Sequence, residues 1–255
     1  MNRLVAFFGI LSFIILFFLA YPFLALVLSV NLKLLDYAVK SPVAVKALTL
    51  TLEAATFSTI LLLLLGVPLA YILARYSFKG KGLIEALVDL PLVIPHAVVG
   101  IMLLIAFGPR TGLGGLLEDL GVVLESSFWA IVAVFMFVGA PLLIDCAKEG
   151  FVSVSPSLEG VARCMGAGPA RVFVTVSLPL AARSIFTGAL LAWARAMSEV
   201  GALLIIAYYP KTVNVLVIEW FNTYGLGYAV ALTAILLLIS ITVFVVLRAL
   251  LRWKH

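Results

Sequence analysis

The chain has 255 residues, of which 65% are hydrophobic and 11% charged, and its formal net charge is +5. Apolar content at that level exceeds what a soluble core can bury, so the composition excludes a soluble globular domain. The positive excess needs no nucleic acid, because a membrane protein holds Lys and Arg at one face of the bilayer, against anionic lipid.

Uncharged stretches occupy 4–32, 54–74, 90–109, 126–144 and 220–247, and a sixth at 184–209 is interrupted only by Arg195 and Glu199. Each is near or above the ~20 residues a helix needs to cross ~30 Å of hydrocarbon. None alternates apolar with polar residues as a membrane barrel strand does. The expected fold class is an all-α integral membrane protein with six transmembrane helices, in one domain covering 1–255.

The first run follows Arg3 and contains Pro22; it is too long for a signal-peptide core and lacks a convincing cleavage site, so it reads as a retained helix. The mixed-charge segment 33–46, with Pro42, reads as an exterior loop, and 1–46 as an N-terminal extension. The second run ends in GVPLAYILAR, where Gly66 and Pro68 allow a bend. The third carries LPLVIPHAVVG, whose Pro91 and Pro95 stand one turn apart and should kink the helix. GPRTGLGGLLEDLG then reads as a turn and a short interfacial helix. The chain contains no GxxxxGK[ST], and Gly80-Lys81-Gly82 lacks the flanking residues of a phosphate loop, so ATP is not bound by that route. Asp145, Lys148 and Glu149 close the fourth run and read as solvated interface charges.

With the N-terminus inside, cytoplasmic segments hold eleven Lys and Arg, including Arg3, Arg75, Lys148, Arg163 and Lys254, against five outside. Both termini are therefore expected in the cytoplasm, in a multi-pass protein of the cell membrane. Cys146 and Cys164 have no spacing that would hold a metal, and no metal site is expected.

Between the fourth and fifth runs lies SPSLEGVARCMGAG, 155–168. Ser155 is placed to cap a helix, Pro156 suits its first position, and Glu159 favours the positive end of its dipole. Leu158, Val161, Ala162 and Met165 share one face, Arg163 points away, and Gly166, Gly168 and Pro169 stop the helix. So short a helix is marginal in water, and its apolar face needs something to pack on. That support is either its own bundle or a cleft in a cytoplasmic protein; periodicity leaves both open.

This segment resembles the cytoplasmic "EAA" signature of binding-protein-dependent ABC transporter permeases: Glu-Ala-Ala, three residues, Gly, nine residues, Ile, one residue, Leu-Pro. With the glycine on Gly166, Ala162 is the second alanine, Val176 takes the isoleucine position, and Leu178-Pro179 matches the final pair. Gly160 stands where the family has Glu, Val161 where it has the first Ala, and Glu159 sits one residue early. The segments at 66–75 and 90–100 are similar to the same family, and AWARAMSEVGA at 192–202 is similar to its oxyanion branch. Its wording, with Ser198 where sulfate permeases carry Gly, leans towards molybdate/tungstate permeases.

The resemblance implies a transport subunit with no enzymatic activity or cofactor of its own. It implies a second copy of the chain, a cytoplasmic ABC ATPase dimer that holds the ATP and magnesium, and an external oxyanion-binding protein. It also makes 155–168 a coupling helix, with Leu158, Glu159, Val161, Ala162, Met165 and Gly166 as the coupling residues.

Arg195, Ser198 and Glu199 are the candidate pathway residues. Arg195 and Glu199 stand one turn apart within the fifth run, where an unpaired charge costs on the order of 3 kcal/mol. They lock that helix to its neighbours as a neutral pair, or else Arg195 gives positive potential to an anion path while Glu199 keeps the attraction weak enough for release. His96, alone beside a proline kink, reads as a packing residue. A channel or secondary transporter is the alternative class, but it needs no EAA-like helix. A membrane enzyme would need motifs such as HExxH or GxSxG, which are lacking.

Overall fold

The computed structural model describes residues 3–252; Lys254, counted above among the cytoplasmic cations, lies outside them. α1 (Arg3–Leu28) carries Pro22 without breaking, and nearly all its described side chains are exposed. α2 (Leu32–Lys40) is capped by Asn31, whose Oδ1 accepts from Lys33 N at 2.9 Å. The segment expected as an exterior loop is therefore largely helical. Ser41 ends α2 and caps α3 (Pro42–Arg75), a 34-residue helix that passes through Pro68.

α4 (Lys81–Val93) and α5 (His96–Phe107) are separated by Ile94 and Pro95, with Ile94 extended. A residue before proline is disfavoured in the helical region, so the break falls there, as the two prolines led us to expect. α6 (Gly112–Asp119) is capped by Thr111 and bent 73° from α5. α7 (Phe128–Ser153) follows, then α8 (Pro156–Cys164) and α9 (Pro169–Val172). α9 continues through a π-helical turn, Phe173–Ser177, into α10 (Leu178–Met197), together 29 residues. α11 (Leu203–Ile206) and α12 (Val213–Tyr224) precede α13 (Leu226–Arg252), with Gly225 at φ +87° in the turn between the last two.

Five of these helices are long and apolar enough to cross a membrane, and a sixth crossing is counted if the bent pair α5 and α6 forms one span. Two expected boundaries are corrected. The fifth run does not continue to 209, because α10 stops at Met197 and the chain then turns through a short α11. The last crossing starts at Leu226, with Trp220 in the separate α12.

α7 is the central helix, packed along both α3 and α10. The α7–α10 seam depends on small residues, since a Cβ on Gly150 would lie 2.6 Å from Ser184 Cβ and one on Gly188 2.8 Å from Cys146 Cβ. Close approach of this kind increases dispersion contact between membrane helices, where lipid supplies no hydrophobic drive. The core falls into three clusters. One lies toward α8 around Leu73, Leu143 and Phe151. A middle one surrounds Phe135, Trp193 and Leu203. The third, at the end where α2 and α12 meet, surrounds Ala38, Leu216 and Trp220. Lys148 bonds Glu85 at 3.2 Å, so it ties α7 to α4 and is not a free interface charge.

Candidate functional site

Two groups of the expected residues sit far apart on the bundle. In the first, α8 starts at Pro156 and ends where Gly166 (φ +86°) takes the left-handed conformation; Gly166 N bonds Arg163 O and Ala167 N bonds Ala162 O. That is the helix stop the glycines were expected to provide. Ser155 does not cap the helix; its hydroxyl pairs with Ser157 at 2.8 Å.

The expected apolar face is open: Leu158, Val161 and Met165 are 49%, 59% and 83% exposed, with Ala162 half-buried at its edge. Glu159 departs from that group. It is buried and points into the bundle, where Oε1 accepts from Arg75 Nε at 2.8 Å and from Ser177 Oγ at 2.8 Å, while Oε2 lies 3.6 Å from Arg163. Arg75 Nη2 also donates to Val154 O at 3.0 Å. The helix is thus fixed by a buried ion pair, and its apolar stripe is left open among the described residues.

The second group forms where helices break. Arg195 occupies the last turn of α10, Ser198 is its C-cap, and Glu199 lies beyond the helix, which corrects the expectation that both charges stand within one continuous helix. The helix ends because its freed backbone groups find side-chain partners. Asn214 Nδ2 donates to Met197 O at 2.8 Å and to Glu199 O at 3.1 Å, and Glu199 Oε1 accepts from Ala202 N at 3.0 Å. Irregular backbone at membrane depth requires such satisfaction.

Glu199 is only 1% exposed, and its Oε2 lies 3.0 Å from both Arg195 Nη2 and His96 Nδ1. Arg195 Nη2 also lies 2.9 Å from His96 Nε2. Arg195 Nη2 lies 2.8 Å from His96 Nδ1 as well, so the guanidinium and the imidazole meet over the same carboxylate oxygen. Arg195 Nη1 reaches Ser198 Oγ at 3.3 Å. The structure therefore brings Arg195, Ser198 and Glu199 together and adds His96, which the sequence left as a packing residue. Pro95 places His96 at the start of α5, and Gly100 lets that helix approach α11; a Cβ there would lie 2.6 Å from Ala202 O. Chemically, the cluster is a carboxylate sealed from solvent beneath two nitrogen bases that remain partly open, with side-chain exposures of 22% for Arg195 and 48% for His96.

Residues 66–254 match the family described as the binding-protein-dependent transport system inner membrane component. The chain belongs to this family. As a member of it, the chain is a multi-pass membrane component of a transport system, consistent with its apolar helices. It is 45% identical over 245 residues to the molybdate/tungstate transport system permease protein WtpB of Pyrococcus furiosus, covering 96% of this chain and 90% of that one. It is 29% identical to the probable sulfate transport system permease protein cysT of Zygnema circumcarinatum, covering 97% and 91%. A solved bacterial alginate ABC transporter, in complex with an alginate pentasaccharide-bound periplasmic protein, shares the fold at TM-score 0.78 and 16% identity, covering 98% of this chain and 95% of that one.

Proposed function

We propose that this chain is the permease subunit of an ATP-driven importer of molybdate or tungstate. It would work as a homodimer in the cell membrane, with two cytoplasmic ATPases and an external binding protein that delivers the anion. The observation that carries this reading is 45% identity over nearly the whole chain to a relative bearing that name.

The geometry supports the reading at both groups. The open stripe of Leu158, Val161 and Met165 suits a cleft in the ATPase, with α8 at the cytoplasmic face and both termini on that side. ATP-driven closure of the ATPases would move the docked helices and alternate the opening of the pathway. At the second group, Arg195 and the N-terminal end of α5 at His96 supply positive potential, and Glu199 offsets part of it. A site that attracts a dianion weakly serves passage better than one that traps it.

The test is ATP-dependent uptake of labelled molybdate and tungstate into vesicles holding the permease, its ATPase and its binding protein. Uptake with sulfate a poor competitor is expected, and Arg195→Ala should slow it by about tenfold or more while ATPase copurification stays intact. If Arg195 is only structural, Arg195→Ala and Glu199→Ala will each be unstable and the double variant will partly recover. Efficient sulfate uptake without molybdate or tungstate uptake would overturn the substrate assignment.

A further inference from the structure

α8 has nine residues, and its apolar face is exposed, so burial of that face does not hold it in place. The charged contact that ties it to the bundle is a buried carboxylate. Glu159 Oε1 joins Arg75, the last residue of α3, to Ser177, the last residue of the π-helical turn, and Arg75 in turn holds the carbonyl of Val154 at the end of α7. Four elements therefore meet at one buried point, with side-chain exposures of 10% at Arg75 and 5% at Glu159. Solvent and salt screen a contact this enclosed far less than a surface pair.

The π-helical turn gives this point its reach. Such turns insert an extra residue into a helix and recur at functional sites. Here the turn separates α9 from α10, and α10 carries Arg195 near its far end. From Ser177 to Arg195 the helix spans ~27 Å at its ordinary rise. A rigid helix passes a displacement at one end to the other, and Gly150 and Gly188 let α10 pack closely along α7 over this length.

We infer that Arg75, Glu159 and Ser177 are positioning residues for transport: they clamp α8 to α3 and to the π-helical turn, so that a displacement of α8 becomes a displacement of α10 and of the Arg195, Glu199 and His96 cluster. This rests on the reading that α8 receives the ATPase. The clamp is buried beneath α8, while the stripe of Leu158, Val161 and Met165 stays open. Its loss should leave docking intact and separate ATP hydrolysis from uptake.

The experiment measures ATP hydrolysed per molybdate imported, in vesicles holding the whole assembly. Glu159→Gln and Arg75→Met should copurify with the ATPase undiminished and raise that ratio about tenfold, and Ser177→Ala, which removes one hydrogen bond and no charge, about twofold. Ser177→Ala also serves if the charge variants fail to fold. A graded rise with undiminished copurification supports the clamp. An unchanged ratio in Ser177→Ala, or uptake and hydrolysis falling in equal proportion in every variant, overturns it, since that is the signature of a merely structural contact. If the native assembly itself shows neither molybdate- nor tungstate-dependent hydrolysis, the proposed function fails, and this inference with it.

Discussion

Glu159 and Glu199 are both buried carboxylates paired to an arginine at close range, yet their surroundings differ in what they leave open. Around Glu159 the arginine is as enclosed as the carboxylate, and all the strong partners come from other elements: α3 and the π-helical turn. Around Glu199 the carboxylate is sealed, but Arg195 and His96 keep an accessible side. One carboxylate neutralises a cation inside a joint. The other neutralises a cation that keeps one side open. The pairing chemistry is shared, and the exposure of the partner decides whether the pair fastens helices or presents charge.

The largest expected effect lies at the surface that the Glu159 joint supports. Val161→Asp places a charge on the open stripe of α8, where the free permease tolerates it and a docked ATPase does not. Burying that charge should cost on the order of 3 kcal/mol, roughly a hundredfold loss of ATPase copurification. A permease that keeps its thermal stability and loses its ATPase gives the expected result. Normal copurification and uptake would remove α8 as the docking element.

A smaller effect should sharpen the contrast at Glu199. Glu199→Ala removes the acceptor of Ala202 N and leaves Arg195 without its carboxylate, a change of about 2 kcal/mol, since the orphaned arginine keeps an open side. Glu199→Gln keeps an oxygen for Ala202 N and should recover part of that loss in a thermal-unfolding measurement. If the two variants melt together, the bond from Ala202 N contributes nothing and Glu199 acts through charge alone.

The local grammar of α8 was legible in the sequence, because Pro156, the apolar spacing and Gly166 each act within one or two turns. The break before His96 was legible for the same reason, in Pro95. The end of α10 was not. No glycine or proline stands between Met197 and Glu199, and the helix stops because Asn214 and Glu199 take up its backbone groups. The inward turn of Glu159 was also hidden, since Arg75 lies 84 residues away. His96 is 99 residues from Arg195, so neither residue announces the other. Contacts of that separation are set by the packing of α3, α5, α7 and α10, which no local pattern encodes.

The smallest expected effect lies at the end remote from α8, where Lys211 pairs with Glu219. The hydrogen bond to Glu219 raises the Lys211 ammonium above its ordinary value of 10.5. Because the folded-state value is the higher one, the stabilisation is fully present below 10.5 and is lost as pH rises through the folded value. Lys211→Met should therefore leave neutral-pH stability within about 1 kcal/mol and flatten the alkaline decline. A decline unchanged in the variant would assign the alkaline sensitivity to other groups.

α1 differs from both carboxylate joints in having almost nothing to recognise. Nearly all its described side chains are exposed, and it touches the bundle along α13. Within this chain such a helix is constrained as a solute and not as a part: it must be oily enough and long enough to remain dissolved, and the order of its letters is nearly free. The joints at Glu159 and Glu199 have the opposite character, since a single atom decides whether each one closes. Sequence drift should therefore accumulate in α1 as exchanges among Phe, Leu and Ile that change its spelling and leave its solubility in lipid untouched.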